Sequence, residues 1–111
     1  MEITTREFKH CYMVNIKGRL DSSNAPQIND KLNEIMESGK YRIVLELSGL
    51  EFISSAGLRV FVNTQKTCKR YNRGEVVMAA VPSNIYASLD LVGFTALFKI
   101  YDDVLTAVGN F

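Results

Sequence analysis

The stretch YRIVLELSGLEFISSAGLRVF, Tyr41 to Phe61, carries a strand signal and a helix signal with two serines between them. Its first part, Tyr41 to Leu47, is a nearly continuous apolar and β-branched run, the composition of a strand covered on both faces. From Leu58 onward the period changes. Leu58, Phe61, Val62, Gln65 and Cys68 recur at helical spacing, and Asn72 and Gly74 follow as stop signals. A buried strand feeding a helix of about four turns is the repeating unit of a parallel sheet, and this strand is predicted to lie at its centre.

Toward the N-terminus, Glu2 to Lys9 and Tyr12 to Lys17 read as two short strands, with Lys9, His10 and Cys11 forming a tight hairpin connection. In the second, Tyr12, Val14 and Ile16 alternate with Met13, Asn15 and Lys17, the period of a half-buried strand. GRLDSSNAP, Gly18 to Pro26, is a turn-rich break, with Pro26 where a first helical turn tolerates it. Ile28, Leu32, Ile35 and Met36 then lay one apolar stripe along a helix reaching Ser38, and Gly39 ends it. Toward the C-terminus, Glu75 to Val81 reads as a buried strand and Pro82 to Gly93 as a helix with Ile85, Leu89 and Val92 inward. Leu97 to Tyr101 reads as a short strand and Asp102 to Phe111 as a terminal helix. Phe94, Leu97 and Phe98 are expected in the core. The expected fold is α/β: one domain, residues 1–111, with an antiparallel hairpin joined to parallel strands in a mixed sheet flanked by helices.

The chain has 111 residues, 47% of them hydrophobic and 23% charged, and thirteen basic side chains against twelve acidic ones leave a net charge of +1. That balance argues against nucleic acid as a partner. The basic residues Lys66, Lys69, Arg70 and Arg73 read as a solvated face complementing a helix C-terminus. MEITTREFKH lacks the apolar core of a signal peptide, and no apolar run approaches a membrane span, so a cytoplasmic protein without membrane contact is expected. Cys11 and Cys68 show neither CxxC spacing nor a histidine-rich setting and read as separate reduced thiols, with no metal site. Neither GxGxxG nor GxxxxGK[ST] occurs, and no cofactor is expected.

Ser54 and Ser55 fall where a strand ends and a helix begins, the location of functional loops in open α/β sheets. Serine is a good N-cap, and capping accounts for one of them. It does not account for Ala56 and Gly57 in the first turn, where glycine costs the helix about 1 kcal/mol. Small side chains there suit close approach by another surface, and an exposed hydroxyl at a helix N-terminus is a phosphate acceptor whose new charge the helix tolerates. A nucleophilic role is disfavoured. The Gly-x-Ser-x-Gly elbow is missing, and the single histidine, His10, lies in the hairpin turn.

GRLDSSNAP, LELSGLEFISSAGLRVF and LDLVGFTALFKIYDD, in that order, resemble the STAS domain of bacterial anti-sigma factor antagonists over nearly the whole chain. The resemblance implies a mixed sheet of about five strands with about four helices, and no catalysis by the domain itself. It implies a partner that is both anti-sigma factor and serine kinase of the ATP-binding type. The unphosphorylated antagonist binds that partner and frees the sigma factor, the kinase modifies a serine at the start of the second helix, and a PP2C-type phosphatase reverses the modification. Family proteins commonly show Asp-Ser-Ser/Thr-Gly-Leu there, which places the acceptor on Ser55 and puts Ser54 where the aspartate usually stands. The family's other contact region, the loop after the second strand, matches Asp21, Ser22 and Ser23. Together with Ser54, Ser55, Ala56, Gly57, Leu58 and Arg59 these residues form the implied partner surface of a monomer. Arg59, one helical turn after Ser55, is placed to pair with a phosphate or a partner carboxylate. A STAS module serving a sensing complex of the stressosome kind, or a lipid-transport complex, is the alternative.

Overall fold

The computed structural model describes residues 1–111. β1 (Glu2–Glu7) and β2 (Tyr12–Leu20) form the antiparallel hairpin, and α1 (Ala25–Glu37) returns the chain so that β3 (Arg42–Glu46) runs parallel to β2. β4 (Leu50–Ile53) leads into α2 (Ser55–Lys69). Then β5 (Glu75–Ala79), α3 (Ser83–Leu91), β6 (Lys99–Tyr101) and α4 (Val104–Gly109) complete the chain. The sheet order is β1-β2-β3-β5-β6, with β3 at the centre as expected and β4 paired to β2 off this path.

β4 is a sixth strand beyond the five expected, and it explains how the serines are placed. Partners along β2 run from Tyr12 with Ile43 to Asn15 with Glu46, then resume at Gly18 with Leu50, Arg19 with Phe52 and Leu20 with Ile53. Thus β4 continues β3 along the same edge of β2, after one extra residue in the Leu47–Gly49 turn and another at Glu51. Leu47 turns away meanwhile, its N–H bonding Ala79 O at 3.1 Å. The serines therefore stand beside the end of β2, one strand later than the sequence alone places them.

The two faces of the sheet are unequally covered. Val14, Ile16, Ile43, Leu45, Val76 and Met78 meet the apolar stripes of α1, α2 and α3 in the main core. On the other face Val44, Val77 and Ala79 pack with Cys11 under Ala107 of α4. Ile28, Leu32, Ile35 and Met36 of α1 are all buried, each contributing roughly 1.5–3 kcal/mol. Gln65, inside the α2 stripe, is buried because it works as a piece of strand. Its Oε1 accepts the Val76 N–H at 2.6 Å, and its Nε2 donates to Val76 O at 2.9 Å and Leu97 O at 2.8 Å, where β6 has not yet begun.

Gly39 ends α1 at φ +93°, as its position predicts. α2 ends differently: Tyr71 and Asn72 take the left-handed conformation at φ 59° and 57°, while Gly74 answers a close approach, since a Cβ there would stand 2.2 Å from the Tyr41 carbonyl oxygen. Near the C-terminus the boundaries move. α3 stops at Leu91, and Gly93 at φ 77° leads into a short 3-10 turn, Phe94–Leu97, before β6. Ile85, Leu89 and Phe98 are buried as expected and Phe94 is half-buried, but Val92, beyond the helix end, is 51% exposed and Leu97 41%. No helix is long and apolar enough to cross a membrane.

Candidate functional site

β2 and β4 end side by side, and the Ser54 N–H donates to Leu20 O at 2.8 Å, joining the two loops that follow them. The two serines then divide the work. Ser54 takes extended backbone at φ −88°, ψ 170°, and its Oγ accepts the Gly57 N–H at 3.3 Å, so it is the N-cap of α2. Ser55 is the first helical residue; it is exposed, and its hydroxyl makes no hydrogen bond within the chain. The first turn of a helix also carries N–H groups that no carbonyl can satisfy, so this end favours negative charge.

Gly57 and Leu58 are buried, which corrects their assignment to the partner-facing surface. The close approach that Gly57 permits is internal: a Cβ there would stand 2.8 Å from Leu20 Cγ and 3.0 Å from Ile53 Cγ1. They hold the turn from beneath. Ala56 is half-buried, while Arg59 is exposed and forms no ion pair.

The loop after β2 is tied together by its own side chains. Asp21 Oδ1 accepts the Ser23 N–H at 3.0 Å and the Ser23 hydroxyl at 2.5 Å; these bonds, the hydroxyl foremost, hold the Asp21 carboxyl below its usual range. Asn24 closes the loop, accepting the Asp21 N–H at 2.9 Å and donating to Arg19 O at 2.8 Å. Ser22 and Ser23 remain exposed. A groove of about 350 Å³ between the starts of α1 and α2 has Ser22 on one side and Ala56, Arg59 and Asn63 on the other. Of the expected residues, Ser22, Ala56 and Arg59 line this groove, while Asp21, Ser23, Ser54 and Ser55 do not.

Arg19 and Phe52, not singled out from sequence, are both exposed one residue before the ends of β2 and β4, on the strand face opposite the buried Leu20 and Ile53. They are partners across the β2–β4 ladder, and the Arg19 guanidinium sits 4.3 Å from the centre of the Phe52 ring, which is 37% exposed. Only the pairing of β4 brings them together, so no local signal marks them. His10, by contrast, is exposed in the β1–β2 turn at the opposite end of the sheet, out of reach of either serine. Both cysteines are buried and unpaired; burial pushes the Cys68 thiol up to about 11 against the opposing charge of Arg73, and it raises Cys11 as well.

The STAS domain matches residues 2–107 of the chain. The chain belongs to the STAS-domain family. Among curated relatives, BtrV of Bordetella bronchiseptica, named as a candidate anti-sigma factor antagonist, is 28% identical over 111 residues, covering 100% of this chain and 95% of its own. A crystal structure of a candidate anti-sigma factor antagonist from Thermotoga maritima superposes with a TM-score of 0.90 at 23% identity, over 97% of this chain and 92% of that one. The anti-sigma factor antagonist SpoIIAA in its unphosphorylated form gives a TM-score of 0.83 at 13% identity, over 98% and 95%; a phosphorylated form of this Bacillus cell-fate determinant shares the fold at a TM-score of 0.76.

Proposed function

We propose that this STAS domain is an anti-sigma factor antagonist switched by phosphorylation of Ser55. Unmodified, it docks on an anti-sigma factor that is also a serine kinase of the ATP-binding type, and that partner releases its sigma factor. The kinase then moves the γ-phosphoryl group of ATP onto Ser55 Oγ, leaving ADP, and a PP2C-type phosphatase hydrolyses the ester to restore the hydroxyl.

The observation that carries this reading is the division between the serines: Ser54 is occupied by the cap, and the next residue offers a free, exposed hydroxyl. The full-length relative named as an antagonist and the fold shared with SpoIIAA in both phosphorylation states support it. The docking surface is the Asp21–Ser23 loop with Ser54, Ser55, Ala56 and Arg59, in which Ser22, Ala56 and Arg59 line a shared groove.

A phosphoserine adds about −1.5 to −2 charges and three acceptor oxygens where a small neutral hydroxyl stood. At a helix N-terminus that charge does not unfold the domain, but an interface fitted to the hydroxyl must desolvate it. Arg59, one turn away and unpaired, serves a partner carboxylate before modification and the phosphate after it. Incubation with purified kinase and ATP followed by mass spectrometry tests the assignment. Phosphate is expected on Ser55 and absent from Ser55→Ala, which still binds the kinase; phosphate confined to Ser54, Ser22 or Ser23 overturns it.

A further inference from the structure

We infer that the hollow at the other end of the sheet, remote from the serines, is a binding site for a small phosphate-bearing anion. The β1–β2 turn, the α1–β3 connection and Arg73 ahead of β5 enclose about 300 Å³, within the range of ligand pockets. Lys9, His10, Lys40, Arg42 and Arg73 all line it. Phe8, Tyr12 and Tyr41, each half-buried, supply flat walls.

The chain leaves most of this charge unanswered. Lys40 has one carboxylate partner, Glu7 at 3.6 Å, with both side chains largely in solvent, and neither Lys9 nor Arg42 forms an ion pair. Glu75, opposite Arg42 in the β3–β5 ladder, is held by Lys99 at 3.1 Å. Arg73 is built in: it donates to Thr67 O at 2.7 Å and Arg70 O at 3.1 Å, and its guanidinium stacks 4.0 Å from the Tyr41 ring centre. Complementing the end of α2 accounts for Arg73. It does not account for Lys9, His10 or Arg42, which come from the hairpin turn and the start of β3 and donate no side-chain hydrogen bond within the chain.

On a chain of net charge +1, five basic side chains line this one hollow, a concentration that suits a compact multivalent anion. Guanidinium groups pair bidentately with phosphate oxygens. The shared ligand chemistry is a chain of phosphates, bare or carried by a nucleoside.

The test is an amide NMR titration of the unmodified protein at low salt, with pyrophosphate in one arm and ATP in the other. Saturable shifts are expected at Lys9–Tyr12 and Gly39–Arg42 and not at Ser54–Arg59, weakening as salt rises. The double variant Lys9→Gln/Arg42→Gln is expected to bind at least about tenfold more weakly with an unchanged Tm, while Lys17→Gln, an exposed lysine near the serine end, binds as the parent does. Tighter binding of ATP assigns the ligand to the nucleotides; equal binding assigns it to the phosphates alone. Absence of saturable shifts at about millimolar ligand, undiminished binding by the double variant, or shifts confined to the serine turn overturns the inference.

Discussion

At the end of the sheet where Ser54 and Ser55 stand, a Cβ on Gly57 would meet the side chains of Leu20 and Ile53; at the opposite end, a Cβ on Gly74 would meet the backbone of Tyr41. Both glycines permit close approach, but against neighbours of different give. Side chains shift at moderate cost, whereas a carbonyl in a strand connection moves only if the sheet moves with it. The serine end is therefore positioned by deformable packing, with polar groups left free on its surface. The basic end is positioned by backbone contact and by Arg73 locked onto two carbonyls and a ring.

Gly74→Ala sharpens this contrast most. It is expected to destabilise by about 3 kcal/mol, a fall in Tm near 10 °C or more, measured by thermal or denaturant unfolding. Gly57→Ala is expected to cost only about 1 kcal/mol, because overpacking against Leu20 is partly offset by the better helix propensity of alanine. Equal losses at the two positions would break the comparison.

Within the serine end, Ser54→Ala is expected to cost about 1 kcal/mol through loss of the cap, and Ser55→Ala close to nothing. Ser54→Asp keeps the cap and adds charge at the positive end of α2, so stability is expected to hold or rise slightly. Equal destabilisation by the two alanine variants would show that Ser55 is not free.

The smallest effect is a titration. The Asp21 carboxyl is depressed in the folded state, so the ordering it contributes is present above the unfolded carboxylate pKa and is lost as pH falls through the lower folded value. Carbon-detected NMR is expected to follow Asp21 and the Ser23 amide together, and Ser23→Ala is expected to move the Asp21 pKa back toward its ordinary value.

Much of the fold is legible in the residues. The alternation of Val14 and Ile16, the unbroken run at β3 and the stripes of α1 and α2 each force one face inward, and burial follows. β4 is not legible: Leu50–Ile53 is short, and its place depends on residues inserted relative to β2, which only pairing reveals. Val92 misleads because helical spacing continues past Leu91 although the helix does not. At the site, the sequence locates the serines and the Asp21 loop but not which serine caps, since that turns on one hydrogen bond from Gly57. It also leaves open which side of the turn Gly57 and Leu58 face, and Arg19 with Phe52 meet only through the sheet.

The most direct test is calorimetric titration of the purified kinase partner with the unmodified domain and with the domain phosphorylated on Ser55. A penalty of about 3 kcal/mol gives binding on the order of a hundredfold weaker for the phosphorylated form, with an unchanged Tm. Equal affinities for the two forms would contradict a switch at this hydroxyl.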